Sequence, residues 1–135
     1  MNRYLLDTSH IGEAIGQVSV VRDRVQRSQK EGDVFGSIGP VLCELLAGVV
    51  VRKDLDKCRR RLERLLQIVR VWPVDMAIAE RYAKVYHELR NIGRPVSQVD
   101  MMLAAIARHL NATLLTTDQD FQVLPDIRTE NWIGN

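Results

Sequence analysis

The chain has 135 residues, 46% of them hydrophobic and 27% charged, with a net charge of +2. That length and balance describe one soluble globular domain spanning residues 1–135, and the mild excess of base permits nucleic acid as a partner without demanding it. The two cysteines, Cys43 and Cys58, form no CxxC pair, which argues against a disulfide framework or a zinc site.

In chain order, strands and helices alternate. Tyr4–Leu6 reads as a buried strand, and Val18, Val21 and Val25 follow at helical spacing. Val34–Ile38 reads as a second strand, and a helix runs from about Val41 to Val50 after Pro40. Leu55, Cys58, Leu62, Leu65 and Leu66 make the stripe of another helix, followed by a strand over Ile68–Trp72. Ile78, Tyr82, Val85, Tyr86 and Leu89 form a further stripe, stopped by Gly93 with Pro95 just beyond. Val99, Met102, Leu103, Ile106 and Leu110 form the next, before strands at Thr113–Thr116 and Ile127–Thr129. Alternation of this kind predicts an α/β fold with a mostly parallel sheet of about five strands and helices on both faces. The start carries no apolar signal segment and no run reaches membrane-spanning length, so a cytoplasmic protein without a membrane partner is expected.

Four acids interrupt this apolar pattern. Asp7 ends the first strand in "YLLDTS"; Glu44 lies among leucines in "VLCELLAG". Asp100 opens the helix in "RPVSQVDMMLAA", and Asp118 follows the strand in "TLLTTDQDF". Each has a plain structural explanation. Asp7 and Asp118 suit helix caps, Ser97 and Asp100 have capping-box spacing, and Glu44 fits the outer side of a helix. Asp75 after Pro73 is expected as an N-cap, while Asp54, Asp56 and Glu63 suit a solvated face.

Taken together the four ask for more. In a parallel sheet, ligands bind beyond the carboxyl ends of the strands, where Asp7 sits. Two carboxylates about 4 Å apart repel by about 4 kcal/mol at an effective dielectric near 20. A divalent cation removes that penalty, and hard oxygen donors suit Mg²⁺ or Mn²⁺, which activate water and stabilise charge on a phosphoryl group. No glycine-rich phosphate loop, HExxH or GxSxG competes. Without a second Asp two residues after Asp7, a D-x-D phosphatase is disfavoured.

The runs "LLDTS", "CELLAG", "GRPVSQVDMMLAAIA" and "TLLTTDQDFQVLP", in this order along nearly the whole chain, resemble the PIN domain, and within it the VapC-type toxins of bacterial toxin–antitoxin pairs. The resemblance implies a three-layer α/β/α sandwich and a Mg²⁺- or Mn²⁺-dependent endoribonuclease. Its catalytic quartet maps onto Asp7, Glu44, Asp100 and Asp118, with Thr116 as a supporting hydroxyl. Asp7 and Asp100 would hold the metal most directly, with Glu44 and Asp118 completing the cluster or orienting water and Asp118 counting among the ligands. The resemblance also implies a cognate antitoxin, a homodimer and a larger toxin–antitoxin assembly. Ser9 stands where the family usually has Asn, and its hydroxyl is expected to bond the neighbouring loop or a metal-bound water. Ser97-Gln98-Val99 lacks the further acid or Asn that many relatives carry there.

Lys53, Lys57, Arg60 and Arg64 form one basic stripe, either a solvated face or, for Lys57, Arg60 and Arg64, an RNA contact. Arg94 is a second candidate for RNA phosphate. His10, His87 and His109 show no ligand spacing and receive no role, and Trp72, Phe121 and Trp132 are expected in the core. The helix dipole is expected to favour an ionised Asp100. Two other readings stand beside the nuclease: a PIN-like module that binds protein or RNA without cutting, and a receiver-like phosphoacceptor, which lacks its expected Lys.

Overall fold

The computed structural model describes residues 1–94 and 96–134. The elements in order are β1 (Arg3–Leu6), α1 (Thr8–Ala14), α2 (Val20–Lys30), β2 (Val34–Ile38), α3 (Gly39–Val49), α4 (Leu55–Leu65), β3 (Val69–Trp72), α5 (Met76–Asn91), α6 (Gln98–Leu110), β4 (Thr113–Leu115), a 3₁₀ turn (Gln119–Val123) and β5 (Thr129–Glu130). The strands pair in the order β3-β2-β1-β4-β5, and every pairing is parallel.

That order fixes where a site can form. The chain builds outward from β1 to β2 and β3, then crosses back to lay β4 on the other side of β1. The reversal opens a crevice between the carboxyl ends of β1 and β4. Asp7 follows β1 directly, and its backbone N–H donates to the Leu115 carbonyl at 3.1 Å, so the two strand ends are tied at the crevice. The buried Ser37 hydroxyl donates to the Leu6 carbonyl at 2.8 Å and ties β2 to the same point.

Alternation along β1 sends neighbouring residues to opposite faces of the sheet. Tyr4 stacks on Phe35 with centroids 5.2 Å apart, Trp132 packs against both, and Arg24 of α2 lies 3.9 Å over the Trp132 ring. One residue earlier, Arg3 reaches the Leu110 carbonyl at the end of α6. Helices therefore cover both faces, as the α/β/α reading requires. The buried run Leu103–Ala107 lets α6 seat closely beneath the sheet, and α5 packs on α6.

The capping residues behave as their chemistry dictates. Asp75 accepts from the Ile78 N–H and opens α5, and Ser97 accepts from the Asp100 N–H and opens α6. Gly93, at φ 71°, follows the end of α5; the second stop signal, Pro95, lies outside the described residues. Four details differ from expectation. Val18 falls before α2, 85% exposed, because Ser19 takes the N-cap and accepts from the Arg22 N–H. A short helix, α1, occupies Thr8–Ala14, which the hydrophobic spacing did not mark. β5 sits two residues later than Ile127, which is itself buried. Trp72 is half-buried rather than in the core: it lies over Gly36, where a Cβ would come within 2.7 Å of the indole, and the Arg70 guanidinium lies 3.8 Å from its ring centroid. Among the described residues, no helix is long and apolar enough to cross a membrane.

Candidate active site

The site begins at the β1–α1 junction. Asp7 is buried, and it N-caps α1 by accepting the His10 backbone N–H at 2.8 Å. The same carboxylate oxygen, Oδ1, accepts from the Ser9 hydroxyl at 2.7 Å and pairs with His10 Nδ1 at 2.9 Å. Burial acts to raise the Asp7 pKa, but the His10 side chain, the His10 backbone and the Ser9 hydroxyl outweigh it and hold the carboxyl below its ordinary value. Asp7 is thus the helix cap that its position allowed and an ionised acid at the crevice as well. Ser9 bonds Asp7 and lies 3.5 Å from Thr117 in the β4 loop, in keeping with its expected tie to the neighbouring loop.

The other acids arrive from three further elements. Glu44, on the exposed side of α3, accepts from the Thr8 hydroxyl at 2.6 Å, so α1 holds α3 against the crevice. Asp100 lies in the first turn of α6, half-buried, above the Ser97 cap. Asp118 follows β4 and caps the 3₁₀ turn, accepting from the Asp120 N–H at 2.8 Å. The buried Thr116 hydroxyl accepts from the Asp118 N–H at 3.0 Å and fixes the loop from below.

Asp100 reports what surrounds it. Burial pushes its pKa up, the Ser97 hydrogen bond opposes that, and the negative charges of Asp118, Asp7 and Glu44 push it up further. The helix dipole was expected to favour the ionised form of this carboxyl, and the net shift of its pKa is nonetheless upward. Desolvation and three like charges outweigh one helix terminus, whose effect is about 0.3–1 kcal/mol. The structure therefore brings all four expected acids into one electrostatic basin. They stay spread within it: among the described residues, no three His, Cys, Asp or Glu side chains are drawn together as a metal cluster.

The basic candidates separate. Arg94 stands at the rim, 3.5 Å from Asp120, whose backbone is bonded to Asp118. Lys57 borders a cleft of about 350 Å³ with Gly12, Ile15 and Val49, at the end of α1 opposite Asp7. Arg64 lines another cleft beside α2, and Arg60 is exposed on the same helix. The structure does not bring the α4 stripe to the acids.

Two neighbours of the acids went unassigned in the sequence, His10 and Thr8. His10 is 0% exposed, and its Nε2 accepts the backbone N–H of Trp132 at 3.1 Å. The signal available was the Asp7-x-x-His10 spacing, which places a side chain at N3 back against its own N-cap.

Fold and site together define a parallel α/β domain that carries acids, rather than a glycine-rich phosphate loop, at its switch point. The PIN domain profile matches residues 4–127, and the chain belongs to the PIN-domain family. Within it the resemblance is to VapC-type toxins. Ribonuclease VapC1 of Haemophilus influenzae strain R2866 is 27% identical over 131 residues, 96% of this chain and 97% of that protein. The tRNA(fMet)-specific endonuclease VapC of Shigella flexneri is 27% identical over 134 residues, 98% of this chain and 99% of that one. Among solved structures, VapBC2 from Rickettsia felis, bound to a DNA fragment from its promoter, superposes with a TM-score of 0.83 at 24% identity, covering 96% of this chain and 98% of that one. VapBC-1 from nontypeable Haemophilus influenzae gives 0.70 at 25% identity, with coverage of 96% and 98%.

Proposed function

We propose that this chain is a divalent-metal-dependent endoribonuclease, acting as the toxin of a type II toxin–antitoxin pair. The observation that carries this reading is the placing of the acids at the crevice: Asp7 at the end of β1 and tied to the Leu115 carbonyl of β4, Glu44 bonded to Thr8 beside it, Asp118 just after β4 and Asp100 in the first turn of α6, where the charges of the other three push its pKa up. Four carboxylates share a basin, and among the described residues none of Glu44, Asp100 and Asp118 is in an ion pair with Lys or Arg. Hard oxygen donors and uncompensated negative charge fit Mg²⁺ or Mn²⁺. Asp7, Asp100 and Asp118 would hold the ion, with Glu44 completing the charge or orienting water. The chemistry such an ion supplies is activation of water and neutralisation of charge on a phosphodiester under attack. Thr116 and Ser9 keep Asp118 and Asp7 in place, and Arg94 at the rim is positioned to meet an RNA phosphate.

The printed activities of the curated relatives, ribonuclease and tRNA-specific endonuclease, support RNA as the substrate. Several structural neighbours are toxin–antitoxin complexes, some on DNA, which supports an antitoxin partner and a larger assembly; a homodimer of the toxin is part of the same proposal. An antitoxin arginine pairing bidentately with the acids would silence the site.

The test combines binding and cleavage. Mn²⁺ should raise the melting temperature of the wild type by binding the native state, and Asp7→Asn should remove most of that rise. RNA should be cut in Mn²⁺ and left intact in chelator. An equal thermal shift in both proteins would remove Asp7 from the site, and RNA bound but uncut would favour the non-catalytic module.

A further inference from the structure

Asp7 is wired asymmetrically. Three donors converge on Oδ1: the Ser9 hydroxyl, the His10 backbone N–H and His10 Nδ1, at 2.7, 2.8 and 2.9 Å. Among the described residues Oδ2 accepts none, and it is not sealed from solvent. One oxygen is spent on the protein and the other is left to the crevice.

His10 can serve this role in only one tautomer. Its Nε2 accepts the Trp132 backbone N–H, so the ring proton sits on Nδ1 and is donated to Asp7. The Trp132 peptide is held in turn by its ring, which packs on Tyr4 and Phe35 beneath Arg24 and donates Nε1–H to Glu130 at 3.0 Å. An aromatic cluster on the sheet face therefore sets the ring orientation of a histidine, and that histidine sets the rotation of a carboxylate.

We propose that His10 is a positioning residue for Asp7, engaging Oδ1 so that Oδ2 is the oxygen Asp7 would offer to a divalent cation. The inference rests on the metal-dependent reading above and adds the residue that orients one of its ligands. Partners behind a metal ligand are worth about 10–100-fold in metal affinity when removed. Without the Nδ1–H bond, Oδ1 keeps only the Ser9 hydroxyl and the His10 backbone N–H, so the carboxylate would be less firmly ordered before a cation arrives.

Three substitutions separate positioning from packing. In His10→Asn the amide nitrogen stands where Nδ1 stood, so the bond to Asp7 is kept while the acceptor for Trp132 is lost. In His10→Gln the amide reaches the Nε2 position, so an acceptor for Trp132 is kept while the donor to Asp7 is lost. His10→Phe fills the space and loses both. Mn²⁺ affinity is measured by calorimetry on the full-length chain without RNA, beside the metal-free melting temperature. The expected result is affinity weakened about 10–100-fold in the Gln and Phe variants and within a few fold of wild type in Asn. That order need not match the order of melting temperatures, which a packing role would make it follow. Gln binding Mn²⁺ as tightly as Asn overturns the proposal, and that pair decides it even where Phe does not fold. A wild type that binds Mn²⁺ beside a Gln variant that binds equally sinks this inference alone. A wild type that binds none sinks the metal reading and this inference with it.

Discussion

The two best-placed acids of the crevice have opposite histories. Asp7 is more deeply buried than Asp100, yet its carboxyl sits below its ordinary value while that of Asp100 sits above. Burial opposes ionisation at both. Three donors on Oδ1 outweigh it at Asp7, whereas Asp100 has one hydrogen bond and three negative neighbours. The lesson is that one site divides its work: the β1–α1 junction is stabilised by its acid, and the start of α6 tolerates one.

Catalysis should expose this division most strongly. Asp100→Asn is expected to abolish Mn²⁺-dependent RNA cleavage. Asp118→Asn, which keeps an oxygen in the cap of the 3₁₀ turn, should retain part of it at raised Mn²⁺. Cleavage by the Asp100 variant beside a dead Asp118 variant would reverse their assigned roles.

Stability should divide in the other direction. Asp7→Ala removes an N-cap and leaves the buried His10 donor without a partner, an expected loss of about 2–4 kcal/mol in denaturant unfolding. Asp100→Asn should instead raise the metal-free melting temperature at neutral pH. A fall in both would mean that Asp100 supports the fold as Asp7 does.

The pH dependence sharpens the same contrast. The folded state binds the Asp100 proton more tightly than the unfolded chain, whose ordinary value is 3.8. Its contribution to stability is therefore present in acid and lost as pH rises through the raised folded value. The advantage of Asp100→Asn should accordingly shrink as pH falls through that value. Asp7 behaves inversely: its contribution is present above 3.8 and lost as pH falls through its lowered value. Unfolding midpoints of the wild type, Asp7→Asn and Asp100→Asn between pH 2 and 8 would check both signs, on the order of the pKa ranges involved.

The smallest effect belongs to Thr8→Val. Its hydroxyl bond to Glu44 is exposed, so the loss should be about 0.5 kcal/mol or less. Cleavage should fall more than stability does, because Glu44 is freed to leave the crevice.

The acids were legible as a set rather than singly: Asp7, Glu44, Asp100 and Asp118 each suit a cap or an outer helix face, but a parallel sheet gathers such positions at its strand ends, and the runs around them resemble the PIN domain. Their elements were legible too, since apolar spacing reports burial. Where Ser19 and Asp75 set element boundaries, side-chain capping decided, and only Asp75 advertised itself, by following Pro73. His10 was opaque for a different reason. A lone histidine beside Ile11 looks like core, and its second partner is a backbone N–H, which no residue identity announces. The direction of the Asp100 shift ran against the helix-dipole expectation because a helix terminus is visible in one segment, while the three opposing carboxylates come from three others. The α4 stripe shows the same limit: its spacing defined one helix face, but tertiary packing chose which end of α1 that face would border.

The link between His10 and Trp132 also sets an order in time. The two residues are 122 apart in sequence, and closing such a loop costs about 4 kcal/mol of chain entropy. One hydrogen bond, worth about 1 kcal/mol, cannot drive that closure. It has to wait until β1, β4 and β5 have paired and Trp132 has docked on Tyr4 and Phe35. The rotation of Asp7 is thus among the last things the folding chain acquires, and substitutions at His10 should quicken unfolding while leaving the folding rate nearly unchanged.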